Sequence, residues 1–347
     1  MPLRCLDEND VSLHAFDLSA DAWRELSERN RKKRSLRMPC CSAAATMRRS
    51  RRGTQFFAHK AAGDCSTAPE KEAHLRLKQI AVEAARKYGW DARTEVIGQT
   101  PSGDPWTADV LARKNSAVVA IEIQWSAQTP EETLRRHERY KQSGIRCLWL
   151  LRKTMVATSH ALPAARISEQ DDGVYLAHLS GPQHMPVDVF LDAAFGSRLR
   201  FGVPLGVSAT AAIRVGTTQC WNSSCRQETR IVTGIDIQFG PHVSTFSVSE
   251  LGKYPDLFEM VVSRLPADPA IGRLKMRFSK TQERSYTSNG CFRCDSLIGE
   301  HFEIHARYSE DVMSLFPIHI DASWKLAIEN LRHHEDGWSV YPSAITS

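Results

Sequence analysis

The segment VVAIEIQWSAQTPEETLRRHERYKQSGIRCLWLLR, from Val118 to Arg152, leaves the chain little choice of fold. VVAIEIQWS has the β-branched and aromatic content of a strand. Thr129 fits a helix N-cap, Pro130 the first helical position, and Glu131 and Glu132 the positive end of the helix dipole. The helix runs through LRRHERYKQS and stops at Gly144, and IRCLWLLRK is a second, buried strand. Strand, helix and strand over this distance make a crossover with the two strands parallel.

Upstream, PEKEAHLRLKQIAVEAARKY (from Pro69) predicts a long helix ended by Gly89, with Ala73, Leu77, Ile80, Ala84 and Tyr88 as its core stripe. Two strands follow, from Ala92 and from Trp106, separated by the turn TPSGDP. Residues 69–153 thus predict helix, three strands, helix, strand. Beyond residue 155 the pattern is strand-rich and irregular, and LPAARISEQDDG has the composition of a linker or exposed loop.

A length of 347 residues suits two or three domains. We place a basic N-terminal module at 1–67, an α/β domain at 68–154 and a β-rich domain at 155–347. No apolar run is long enough for a membrane-spanning helix, and MPLRCLDENDVSLH carries acids where an export signal needs an apolar stretch. The expectation is a cytoplasmic protein with reduced thiols, whose nine cysteines serve as metal ligands or buried thiols. Cys5 and Cys147 are expected to be structural.

The net charge of +5 is unevenly spread. From Arg29 to Arg52 there are ten Lys and Arg and no acid, including Arg31, Lys32, Lys33, Arg34, Arg48, Arg49, Arg51 and Arg52. Such a block is either a solvated segment or a site for nucleic-acid phosphates.

Within the third strand, Val119, Ile121, Ile123 and Trp125 form one face, and Glu122 and Gln124 interrupt the other. A bare buried carboxylate is costly, so Glu122 needs a cation or donors. Asp109, on the preceding strand, is expected to share its face. Two carboxylates and an amide make an oxygen-rich site for Mg²⁺ or Mn²⁺, and such an ion would activate water for phosphodiester hydrolysis. Glu70, His74 and Lys78, spaced four apart, line one stripe of the preceding helix. Either these are ordinary surface ion pairs, or Glu70 assists the metal while Lys78 or Arg135 stabilises developing charge. The order Asp109, twelve residues, Glu122-Ile123-Gln124 is D-x12-E-x-Q, a variant of the D-xn-E-x-K signature of PD-(D/E)xK nucleases with Gln in place of Lys.

In sequence order FFAHK, EKEAHLRLK, ADVL, AIEIQWS, the Arg135 and Tyr140 pair, and GIRCLWLLR resemble the competence protein CoiA-like family over roughly residues 35–153. The resemblance implies a PD-(D/E)xK nuclease-like domain linked to DNA during transformation or to related DNA processing, defence included. It puts Glu70, Asp109, Glu122 and Gln124 at motif positions, flanked by His74 and Lys78. The family's C-P-x-C and H-F-A-H segments appear here with Met38 and Phe56 in place of a cysteine and a histidine. Cys40, Cys41, His59 and Cys65 are left as candidate zinc ligands or buried groups.

Downstream, Cys220-x4-Cys225 and Cys291-x2-Cys294 have the form of paired knuckles donating four thiolates to a structural Zn²⁺. The expected whole is a PD-(D/E)xK-like α/β core with a basic N-terminal module and a zinc-ribbon-like C-terminal domain. Its expected function is metal-dependent DNA hydrolysis. A non-catalytic DNA-binding protein that kept the nuclease fold, or a zinc-stapled interaction scaffold, are the alternatives.

Overall fold

The computed structural model describes residues 2–60, 70–153, 156–170, 173–180 and 182–342. It forms two compact units, Met1–Leu199 with Gly337–Val340, and Arg200–Asp336 with Tyr341–Ser347. Among the described residues no helix is long and apolar enough to cross a membrane.

The first unit begins with short strands β1 (Arg4–Leu6) and β2 (Ser12–His14), helix α1 (Ala20–Lys33) and the hairpin β3 (Ala45–Arg49) and β4 (Gln55–His59). Leu3, Trp23, Leu26, Leu36, Met38, Phe56 and Phe57 fill their core. Met38 and Phe56 therefore pack as apolar residues where the family resemblance calls for metal ligands. The basic block is folded: Arg31, Lys32 and Lys33 close α1, Arg34 caps it, and Arg48, Arg49, Arg51 and Arg52 ride on the hairpin, all exposed. Arg52 pairs with Glu169 at 3.1 Å.

Next come α2 (Glu72–Lys87), β5 (Asp91–Gln99), β6 (Pro105–Lys114), β7 (Ala117–Gln124), α3 (Pro130–Gln142) and β8 (Arg146–Leu151). The order is helix, three strands, helix, strand. Thr129 caps α3 by accepting from Glu132 N at 3.2 Å, and β7 pairs β8 in parallel. Gly144 follows the helix with φ of 68°, a conformation that side chains other than glycine adopt only under strain.

The sheet does not stop there. β9 (Ala164–Glu169), β10 (Tyr175–His178) and β11 (His184–Pro186) extend it to seven strands in the order β11-β10-β9-β8-β7-β6-β5, and α4 (Val187–Phe195) follows. LPAARISEQDDG, expected as a loop, supplies β9, parallel to β8. Ala165 and Ile167 meet one core and Ala164 the other, so small side chains hid a buried strand. The boundary expected after residue 154 thus falls inside this sheet.

The sheet has two apolar faces. Leu77, Ala81 and Ala85 of α2 pack on Val110, Ala112, Ile121, Ile123 and Leu150. On the other face Tyr140 of α3 packs with Ala108, Leu111, Ala120, Cys147 and Trp149. Leu75 of α2 turns away into the N-terminal core, so this helix serves two cores.

In the second unit, residues 208–219, 228–239, 242–246 and 311–319 form a four-stranded antiparallel sheet. Its core includes Phe246, Trp324 and Ile328. Residues 275–279, 284–290 and 297–298 make a three-stranded sheet.

Candidate metal centres and the acidic cluster on α2

Asp109 sits where two strand ladders lapse. Pairing of β5 with β6 passes from Thr94↔Val110 to Val96↔Ala108, and pairing of β6 with β7 begins at Val110↔Ile121. Freed from the ladders, the Asp109 carboxylate accepts from Ile123 N at 2.9 Å. It also lies 3.1 Å from His74 Nε2 and 3.2 Å from Lys78 Nζ. Lys78, 1 % exposed, reaches Glu70 at 2.6 Å and Glu95 at 3.1 Å as well. Glu70, His74 and Asp109 each offer a ligand atom within 4.8 Å of the other two.

Three carboxylates surround one ammonium and one imidazole, and although burial pulls the imidazole down, Asp109 carries it above its ordinary value. Burial alone would raise Asp109, but the charges of His74 and Lys78 hold it well below the ordinary carboxylate range. Burial likewise pulls Lys78 down, and Asp109, Glu95 and Glu70 together carry it well above its usual value. Glu70 Oε2, Glu95 Oε2 and His74 Nε2 are buried without a hydrogen-bond partner. The close approach of His74 Nε2 to Asp109 is thus an ion contact with poor alignment. Buried acceptors left unpaired are costly, and a divalent cation among them would relieve the cost. The donor set of two carboxylates and an imidazole fits such an ion.

Glu95 was not anticipated from sequence. It stands in β5 with φ of 49°, an unfavourable conformation for a side chain other than glycine. Leu3 N donates to its carboxylate at 3.3 Å, and an Arg4 guanidinium nitrogen donates to its carbonyl at 2.7 Å. The sequence signal was slight: a single acid inside a strand whose other acid, Asp91, stands at its first position. Glu95→Gln keeps the shape and removes one charge beside Lys78. Its expected result is an unchanged fold and severalfold weaker Mn²⁺ binding, read by thermal melting and calorimetric titration.

Glu122 does not join this cluster. Its face of β7 is the one covered by α3, and both of its oxygens are taken there, one by Tyr140 Oη and one by Arg136. Thr107 O, 3.1 Å from Tyr140 Oη, is the alternative acceptor for the same hydroxyl proton. Gln124 accepts from Arg136 at 3.3 Å and donates to Ser126 O at 2.9 Å. The expected convergence of Asp109, Glu122 and Gln124 is therefore corrected: Asp109 turns to α2, and Glu122 and Gln124 turn to α3. Arg135 is corrected too, since it is exposed and bonds Glu132 one turn back. Arg136, with Tyr140 four residues on, makes the contacts to β7, and that spacing was the sequence signal overlooked.

Burial, with the charge of Asp109, pushes the Glu122 carboxyl up to about 7 against the pull of Arg136 and Tyr140. A carboxyl that holds its proton more tightly when folded stabilises the fold fully below its unfolded value near 4.5 and loses that contribution as pH rises through about 7. Wild type should therefore lose stability relative to Glu122→Gln between about pH 5 and about pH 8, measured by urea unfolding. A constant difference would contradict this.

In the second unit Cys220, Cys225, Cys291 and Cys294 form a four-thiol group. Cys220 Sγ lies 3.6 Å from Cys294 Sγ, and Cys225 Sγ 3.7 Å from Cys291 Sγ. A tetrahedral ion with metal–sulfur bonds of about 2.3 Å sets sulfurs about 3.8 Å apart. Each knuckle closes through a left-handed residue, Arg226 (φ 48°) and Asp295 (φ 57°). In the first unit Cys40, Cys41 and His59 form a smaller group, with Cys41 Sγ 3.2 Å from His59 Nε2. Cys65, expected beside them, lies outside the described residues. Cys5 and Cys147 are buried, and burial pushes the Cys5 thiol up to about 12.

Residues 70–171 match the family described as "Competence protein CoiA, nuclease-like domain". A domain of that family is therefore present, over less than a third of the chain. No curated protein matches the chain. A solved crystal structure described as a protein of unknown function, AF1548, is similar at 13 % identity with a TM-score of 0.21, over 27 % of this chain and 57 % of that one.

Proposed function

We propose that the CoiA nuclease-like domain is a PD-(D/E)xK-type, divalent-metal-dependent nuclease acting on DNA, with Glu70, His74 and Asp109 as the cation's protein ligands. The observation that carries this reading is the half-buried group of Glu70, His74 and Asp109, whose ligand atoms lie within 4.8 Å of one another, with Glu70 Oε2 left unpaired. Bound there, a cation would polarise a phosphate oxygen and acidify a water. The chain's own groups do the rest. Asp109 is fixed by Ile123 N–H, which keeps its oxygens aimed at the cluster. Lys78 supplies positive charge for a phosphate whose charge grows as the bond breaks. The exposed cations Arg31, Lys32, Lys33, Arg34, Arg48, Arg49 and Arg51 hold the DNA backbone. An imidazole among the ligands favours Mn²⁺ over Mg²⁺, which prefers oxygen alone. Zn²⁺ in the four-cysteine group is structural.

One observation favours a second reading. Lys78 already touches all three carboxylates, so the cluster can serve as a buried salt-bridge network in a DNA-binding domain that does not cut. The two are separated by incubating single- and double-stranded DNA with the zinc-loaded chain and Mn²⁺, Mg²⁺ or no added metal. Cleavage that needs the added ion, faster with Mn²⁺, supports the nuclease. Salt-sensitive binding without cleavage supports the module.

A further inference from the structure

The two knuckles of the second unit each set an aromatic ring in solvent beside arginines. Trp221 follows the first cysteine of its knuckle and is 57 % exposed; Phe292 follows the first cysteine of the other and is 40 % exposed. Trp221 is anchored at one edge of its ring, and Phe292 through its backbone. Trp221 Nε1 donates to Leu297 O at 2.7 Å, and Phe292 N donates to Thr229 Oγ1 at 3.1 Å. The contacts between Cys220 and Cys294 and between Cys225 and Cys291 bring the knuckles together.

Three exposed arginines lie in the knuckles or in the segment packed against them. Arg226 closes the first knuckle, and Arg293 lies between the cysteines of the second. Arg273 follows Gly272, whose backbone lies against the second knuckle: a Cβ on Gly272 would stand 1.6 Å from Gly290 O and 3.5 Å from Phe292 N. Among the described residues none of the three makes an ion pair, whereas nearby Lys275 and Arg277 both pair with Asp295. Unspent positive charge next to anchored, solvent-facing rings suits a ligand that carries regular anionic charge and open π-faces. A duplex conceals the faces of its bases; a single strand presents them.

We propose that this double-knuckle face binds single-stranded nucleic acid, with bases stacked on Trp221 and Phe292 and phosphates on Arg226, Arg273 and Arg293. The proposal rests on the four-cysteine group locking the knuckles and not on the cluster on α2. The test uses the full-length zinc-loaded chain with no added Mn²⁺, Mg²⁺ or chelator, so cleavage plays no part. Dissociation constants for labelled oligo-dT, oligo-rU and a DNA duplex are measured by fluorescence anisotropy over a salt series. Trp221→Ala and Phe292→Ala are each expected to weaken single-strand binding about 5- to 100-fold and leave the duplex unchanged. Trp221→Phe should retain most of the affinity, and Phe292→Ala decides the case if Trp221→Ala fails to fold. Glutamine at all three arginines should flatten the single-strand salt slope by about 2. Oligo-dT bound more tightly than oligo-rU identifies DNA as the ligand, and the reverse identifies RNA. A Phe292→Ala protein that is folded and zinc-loaded and binds the two oligomers as wild type does overturns the proposal. So does equal loss on single strands and duplex.

Discussion

Asp109→Asn should cut no DNA at a measurable rate, a fall of at least about 100-fold, while Glu122→Gln retains most of the activity. Asp109 is the ligand whose charge and direction the site most depends on. It meets His74, Lys78 and the Ile123 N–H at once. Asparagine keeps the size but removes the charge and puts an amide NH₂ in the place of one oxygen. The fold should survive, because Glu70 and Glu95 still hold Lys78. Glu122 is just as deeply buried, at 1 % exposure, but its oxygens are spent on Tyr140 and Arg136. Glutamine there keeps one oxygen to accept from Arg136, and its NH₂ can donate to Tyr140 Oη, whose own proton then goes to Thr107 O. Rates on plasmid and single-stranded DNA with Mn²⁺ decide between the two carboxylates. Equal loss in both variants would restore the pairing of Asp109 with Glu122.

The largest effect on folding is expected from the four-cysteine group. Cys291→Ser, or removal of metal by a strong chelator, should abolish cooperative unfolding of the second unit and leave that of the first intact. Cys291 is almost fully buried and shares a small apolar cluster with Ile231, Ile298 and Ala306. Without an ion, four sulfurs would have to sit at tetrahedral spacing with nothing between them. The apparent binding free energy of a structural zinc is about 10–16 kcal/mol, more than a domain's usual net stability. Zinc content by atomic absorption and amide exchange across residues 208–330 provide the measurement. One zinc per chain in the wild type and none in the variant is expected. Native exchange in a zinc-free chain would contradict it.

The sequence is most informative where its signals are local. Thr129, Pro130 and Gly144 fix α3 to within a residue because capping depends on immediate neighbours. The parallel pairing of β7 with β8 follows from the length of the crossover. The four cysteines are legible because two closely spaced pairs have the form of a tetrahedral thiolate site. What was missed depends on register and on lapses in pairing. β9 carries alanines where a strand usually carries larger apolar groups. Strict alternation puts Glu122 on the α3 face, but Asp109 escapes alternation because both of its ladders lapse. Glu95 enters through the same irregularity, with its backbone turned left-handed opposite Asp109. Arg135 and Arg136 differ by one helical step of about 100°, which sequence alone assigns only once the core face is known.

The central claim is that Glu70, His74 and Asp109 form one cation site. Calorimetric titration of Mn²⁺ into the zinc-loaded full-length chain tests it most directly. The prediction is a single added site, lost in Glu70→Gln, His74→Ala and Asp109→Asn and kept in Glu122→Gln. No heat of binding in the wild type, or a site that survives Glu70→Gln and His74→Ala but vanishes in Glu122→Gln, would contradict it.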